Sequence, residues 1–272
     1  MKKGTGSTLV LILVLILGLS LLLYPTFSDY WNSFHQSKAV AVYTEQVAKL
    51  DDEHYSVVWN RALLYNTELS AREIHYVLSE EQLEEYNQQL NLENNGVMGY
   101  ISIPKIDVEL PVYHGTDEAV LQIAVGHLEW SSLPAGGESS HCVLSGHRGL
   151  PSAKLFTNLD ELVVGDTFLL HVLDEVLTYE VDQILIVEPS DLSALDIIDG
   201  QDLCTLITCT PYGINSHRLL VRGHRIDTVE ESNVRVTADA MQIDPLMVAP
   251  VVAAPILLIL LAAVLVQGRK RK

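Results

Sequence analysis

Two uncharged apolar runs, one near each end, constrain this chain more than anything between them. Residues 9–23 form an apolar stretch interrupted only by Gly18 and Ser20, and residues 247–266 form a second. At about 1.5 Å per residue, a run of about twenty residues crosses a hydrocarbon core about 30 Å thick. The second run therefore reads as a transmembrane helix. The first, preceded by Lys2 and Lys3, also fits a secretory signal peptide. Tyr24, Pro25, Thr26 and Phe27 offer no small-residue cleavage site, however, and we read it as a retained anchor.

Basic flanks stay on the cytoplasmic side. Lys2 and Lys3 precede the first run, and Arg269, Lys270, Arg271 and Lys272 follow the second. Both tails are then inside, and everything between the runs is outside. That outer part holds 11 Lys and Arg against 35 Asp and Glu, a formal charge of −24. Such a charge excludes a nucleic-acid partner and fits a well-solvated surface. The three cysteines, Cys142, Cys204 and Cys209, all lie in the outer part. An odd count in an exported chain leaves at least one thiol unpaired.

Five regions follow: 1–27, a cytoplasmic tail and anchor; 28–95, a helical pre-domain; 96–230, the main domain; 231–246, a juxtamembrane linker; and 247–272, a second span with a basic tail. In the pre-domain, Val40, Tyr43, Val47 and Leu50 recur at helical spacing, and Trp59 and Leu63 continue the stripe. Ser79 and Gln82 have the spacing of a capping box. Pattern alone leaves open whether this segment packs on the main domain, on a partner, or acts as a spacer.

After Asn94-Asn95-Gly96 the period changes to two. Eight apolar stretches follow, at 100–103, 108–112, 124–130, 142–146, 167–172, 177–187, 203–208 and 218–225. Short helical inserts are expected around 117–122, 153–159 and 191–195. The expected fold is mainly β, a closed or nearly closed eight-stranded barrel with short helices, preceded by the helical segment and flanked by the two spans.

Three segments carry candidate chemistry. In Thr205-Leu206-Ile207-Thr208-Cys209-Thr210-Pro211 a β-branched strand ends in Cys, because Pro211 cannot continue the ladder. In Leu144-Ser145-Gly146-His147-Arg148-Gly149 a strand ends in a histidine between glycines. In the stretch from Arg218 to Arg225, Arg218, Leu220, Arg222 and His224 share one face. Each has an ordinary alternative: a packed core cysteine, a structural histidine, an exposed edge arginine. A metal site from His141, His147 and Cys142 is set aside, because spacing along one strand does not converge ligands tetrahedrally.

In combination the three segments resemble the sortase family over about residues 96–226. Thr205-Leu206-Ile207-Thr208-Cys209 resembles its cysteine signature, Gly146-His147-Arg148-Gly149 its histidine segment, and Asn215 to Gly223 its arginine strand. The helical pre-domain and second span resemble class C, the pilin-polymerising sortases. The resemblance implies an eight-stranded barrel and a cysteine transpeptidase without cofactor or metal. It implies catalytic roles for His147, Cys209 and Arg218; the arginine nine residues after the cysteine is Arg218 rather than Arg222. It further implies a Leu-Pro-x-Thr-Gly sorting signal cut between Thr and Gly, and a lysine amine of another pilin as acceptor. The setting is the cell membrane of a Gram-positive-type bacterium. Anchoring of surface proteins to cell-wall peptide is the alternative, and a non-catalytic membrane-anchored scaffold a lesser one. Substrate-binding residues are not assigned.

Class C members often carry an Asp-Pro-aromatic lid in the N-terminal segment. Residues 37–96 contain no Asp-Pro, which leaves a lid of other sequence, or none. Cys142 and Cys204 each lie five residues before a candidate catalytic residue. The family fold implies neighbouring parallel strands there, and we expect two buried free thiols rather than a disulfide.

Overall fold

A computed structural model describes residues 3–72 and 76–228. Helix α1 (Lys3–Val47) contains the first apolar run and is long and apolar enough to cross a membrane. The expected C-terminal span, and the linker before it, lie outside the described residues. The chain divides into two compact units, and the one that begins at Asn32 holds the barrel and the helices packed on it.

Within that unit the pre-domain packs on the barrel, which decides among the three roles left open by pattern. Val40 and Tyr43 on α1 are buried, and Val47, Leu50, Trp59 and Leu63 pack against the core as the stripe predicts. The Tyr43 hydroxyl donates to Met98 O (3.1 Å) and accepts from Leu173 N (2.7 Å), pinning α1 to two barrel segments. Burial pushes that phenol well above its ordinary pKa, so it stays a donor. Helix α2 (Asp52–Ser70) opens on Asp51, whose carboxylate accepts from His54 N. Helix α3 (Glu80–Asn87) opens on the expected capping box between Ser79 and Gln82, a device worth about 1 kcal/mol.

The eight strands are β1 (Val97–Ile103), β2 (Val108–His114), β3 (Val125–His127), β4 (Ser140–Ser145), β5 (Thr167–Val172), β6 (Glu175–Val187), β7 (Asp202–Thr210) and β8 (His217–Ile226). They close in the order β1-β2-β3-β4-β7-β8-β6-β5, so no edge is left unpaired. β3 is shorter than the expected 124–130 stretch. Its chain bends after His127, where Ser131 N turns back to Leu128 O. Of the expected helical inserts, 117–122 contains a one-turn helix, α4 (Glu118–Leu121). The other two yield short 3₁₀ turns at Leu159–Glu161 and Ser193–Leu195.

Two parallel pairings make the barrel more than a meander. β2 pairs with β3 after α4, and β4 pairs with β7 across the whole β5–β6 hairpin. Alternation then sorts side chains between two cores. Cys142, Leu144, Cys204, Leu206, Leu219 and Val221 point into the barrel, with Phe156, Phe168 and Tyr179. Val143, Ile207 and Leu220 point outward and form a second cluster under the β6–β7 connection, with Leu192 and Leu195.

Candidate active site

The outer cluster ends where three strands do. β7 pairs antiparallel with β8, and Cys209 is the direct partner of Arg218. Directly opposed residues in such a pair have Cβ atoms about 4.5–5.5 Å apart. Outward-facing Ile207 and Leu220 fix the parity, so Cys209, two residues on, and Arg218, two residues back, share the outer face. The loop Pro211–Ser216 returns the chain with Ile214 N and Asn215 N both donating to Pro211 O.

His147 follows the strand on the other side of β7. In the parallel β4–β7 pair Ser145 is opposite Ile207, and Gly146 N continues the ladder to Ile207 O (3.0 Å). Two residues past Ser145, beyond the end of β4, lies His147. The structure thus sets Arg218 opposite Cys209 and runs the strand that leads to His147 beside the strand of Cys209, from segments far apart in sequence. Arg222 pairs instead with Thr205 and is held by Asp182 through two hydrogen bonds of 3.0 and 2.9 Å.

Several groups fix this geometry, and pattern alone did not single them out. The Thr208 hydroxyl donates to Gly146 O (2.8 Å), tying the residue before Cys209 to the residue before His147. Gly146 has no room for a side chain, since a Cβ there would lie 2.7 Å from the buried Phe156 ring. Gly149 sits at φ +75°, and a Cβ there would lie 2.9 Å from Tyr212. Arg148, between them, pairs with Asp160 and lies 5.9 Å over the Tyr212 ring. The β7–β8 loop and the His147 loop are therefore clamped to each other. Sequence offered the glycines as a signal; the partners that make them necessary, Phe156 and Tyr212, are 10 and 63 residues away.

Cys209 is half-buried, at the open end of the pair, whereas Cys142 and Cys204 are sealed and free. These two are direct partners in the β4–β7 register, as expected, and both point into the barrel core. Burial, then Cys142 beside it, pushes the Cys204 thiol well above its usual range. The Arg218 guanidinium donates to the carbonyls of Asn215 (3.4 Å) and His217 (3.2 Å) in its own loop.

From Arg218 an apolar groove of about 200 Å³ runs along the outer face, floored by Ile207 and Leu220 and walled by Leu128, Leu192 and Leu195. Its wall is the β6–β7 connection. Tyr76, in the connection between α2 and α3, reaches that wall: its hydroxyl donates to Asp196 Oδ1 (2.9 Å) and its ring meets Trp130 edge-on at 5.0 Å. A segment without the Asp-Pro-aromatic sequence thus touches the β6–β7 connection.

Comparison with known proteins fits this architecture. Residues 101–226 match the model of the sortase domain. Sortase C1 of Streptococcus agalactiae is 50% identical, with a TM-score of 0.70, over 71% of this chain and 100% of that one. Sortase C of Clostridium perfringens, solved with the C-terminal cell wall sorting motif, is 42% identical, with a TM-score of 0.62, over 70% of this chain and 99% of that one. Sortase D of Bacillus subtilis is 34% identical over 49% of this chain, and the chain spans 66% of that curated relative's length. A closed barrel of this strand order, matched over the full length of a sortase C1 at half identity, assigns the chain to the sortase family, and within it to class C.

Proposed function

We propose that the chain is a cysteine transpeptidase of the outer membrane face, with Cys209 as nucleophile, His147 as proton carrier and Arg218 as anchor for the reacting carbonyl. The supporting observation is the register: Cys209 opposite Arg218, which lines an apolar groove, with His147 two residues past the strand that pairs with the cysteine strand. The Cys209 thiolate attacks the carbonyl carbon of the scissile amide, and the carbonyl electrons move onto oxygen. Arg218, permanently charged, stabilises that oxyanion by turning from the loop carbonyls it now caps. Collapse expels the amine, which takes a proton from the His147 imidazolium, and leaves a thioester on Cys209. The incoming amine reverses the sequence: it loses its proton to neutral His147, attacks the thioester and releases the thiolate.

The apolar floor of Ile207, Leu220, Leu192 and Leu195 suits the Leu-Pro part of a Leu-Pro-x-Thr-Gly sorting signal. The Clostridium perfringens relative, solved with the C-terminal cell wall sorting motif, supports the same assignment. The acceptor in this reading is a lysine amine on another pilin, giving an isopeptide bond, and the domain stands outside the cell behind its N-terminal anchor. Incubation with a pilin that carries the signal distinguishes the tasks. A ladder of covalent multimers is expected. Adducts with wall peptide alone would instead assign anchoring, and unchanged processing by Cys209→Ala would assign a scaffold.

A further inference from the structure

We propose that His141 is a positioning residue for the substrate groove: its imidazole fastens the β6–β7 connection, residues 188–201, at the height that shapes the wall over Ile207 and Leu220. This rests on reading that groove as the acyl-donor site. His141 lies on the outer face of β4, six residues before His147 and roughly 20 Å from it at about 3.3 Å per residue. It therefore takes no part in bond making. Its side chain is nevertheless 1% exposed, and both ring nitrogens are used.

Nδ1 lies 2.9 Å from the carbonyl oxygen of Asp196. A carbonyl only accepts, so Nδ1 carries the proton. Nε2, left with a lone pair, lies 2.7 Å from Thr205 Oγ1 and accepts from that hydroxyl. A single neutral tautomer thus links β7, β4 and the β6–β7 connection in one directed chain. Arg222 and Asp182, the nearest charges with Asp196, neutralise each other in their own ion pair. The far side of Asp196 is held too, because Tyr76 donates to its carboxylate.

What this chain holds is the groove wall. Leu195, next to Asp196, is buried against Val143, Ile207 and Leu220, and Leu192 lines the same groove. A further tie lies past Asp196, where the Ser139 hydroxyl donates to Asp199 and accepts from Gly200 N. Freed from His141, the wall between Leu192 and Asp199 loses its inner attachment. Thr205 then acquires a role of its own: it orients the imidazole from within the cysteine strand.

Three variants test this, His141→Ala, His141→Asn and Thr205→Val. An Asn amide nitrogen can occupy the Nδ1 position and keep the bond to Asp196. For a Leu-Pro-x-Thr-Gly peptide, His141→Ala should raise KM about tenfold with kcat within about threefold, the signature of lost binding. Alkylation of Cys209 should keep its wild-type rate, to within about twofold, since the thiol's surroundings are untouched. His141→Asn should restore KM to within about threefold, and Thr205→Val should fall between. Without any substrate, hydrogen exchange at amides 192–199 should accelerate in His141→Ala and return to normal in His141→Asn. Loss of kcat at unchanged KM, or exchange in His141→Ala equal to wild type, overturns the proposal. Failure of the wild-type chain to cleave the peptide would instead strike the assignment of the groove, and the exchange experiment would still decide the role of His141.

Discussion

Cys204 and Cys209 lie five residues apart on one strand, and an odd separation turns them to opposite faces. Cys204 points into the barrel beside Cys142, is fully buried, and has its thiol pushed up by that burial. Cys209 points outward near the strand's end, half-buried, with Arg218 opposite. The same contrast runs through the neighbouring strand. His141 is locked in a hydrogen-bonded chain deep under the β6–β7 connection, while His147 stands at the open end beyond Gly146. Residue type is therefore shared between the two levels of the β4–β7 ribbon, and register with access separates them. The lower level holds shape, and the upper level carries the chemistry in the function proposed above.

Replacing the two cysteines in turn should break or confirm that separation with the largest effect. Cys209→Ala should lower peptide cleavage by at least about 10³-fold, as loss of a covalent nucleophile does. Cys204→Ala should leave turnover within about threefold. Gly146→Ala comes next. Its Cβ would collide with Phe156 and displace either the ring or the His147 loop. Misplacement of a reacting group by about 1 Å costs about 10²-fold, and we expect a fall of that order in kcat/KM. A serine at Thr208, which keeps the hydroxyl bonded to Gly146 O, should lose far less in the same assay.

The lower level should answer in stability instead. Cys204→Ala removes a buried sulfur and should cost about 1–2 kcal/mol in denaturant unfolding. The smallest effect is a pH slope. Burial, with Arg222 nearby, holds the folded-state pKa of His141 below 6.5, the value it regains on unfolding. Its contribution to stability is present above pH 6.5 and is lost as the pH falls through the folded value, because the unfolded chain takes up the proton first. Tm should therefore drop on acidification below about pH 6.5, and the drop should be shallower in His141→Asn.

Much of this was legible in the sequence, and what was not has a physical reason. Alternation located all eight strands, because each faces a core on one or both sides. The stripe through Val40, Tyr43 and Val47 located the face of α1, and Ser79 with Gln82 located the start of α3. Closure of the barrel was harder. β4 meets β7 across sixty-odd residues, a pairing no local pattern encodes. The preference for Arg218 over Arg222 came from family spacing alone; in the register Arg218 faces Cys209, while Arg222 faces Thr205 and is bound to Asp182. The ties of Thr208 to Gly146 and of His141 to Asp196 were invisible, because each joins a side chain to a backbone carbonyl whose position only the fold determines.

The most direct test is to trap the acyl-enzyme. The full chain, mixed with a Leu-Pro-x-Thr-Gly peptide and quenched in acid, should gain the mass of the acyl fragment. Fragmentation should map that mass to Cys209. An acyl group found on Cys142 or Cys204, or peptide turned over by Cys209→Ala at the wild-type rate, would contradict the separation of the two levels.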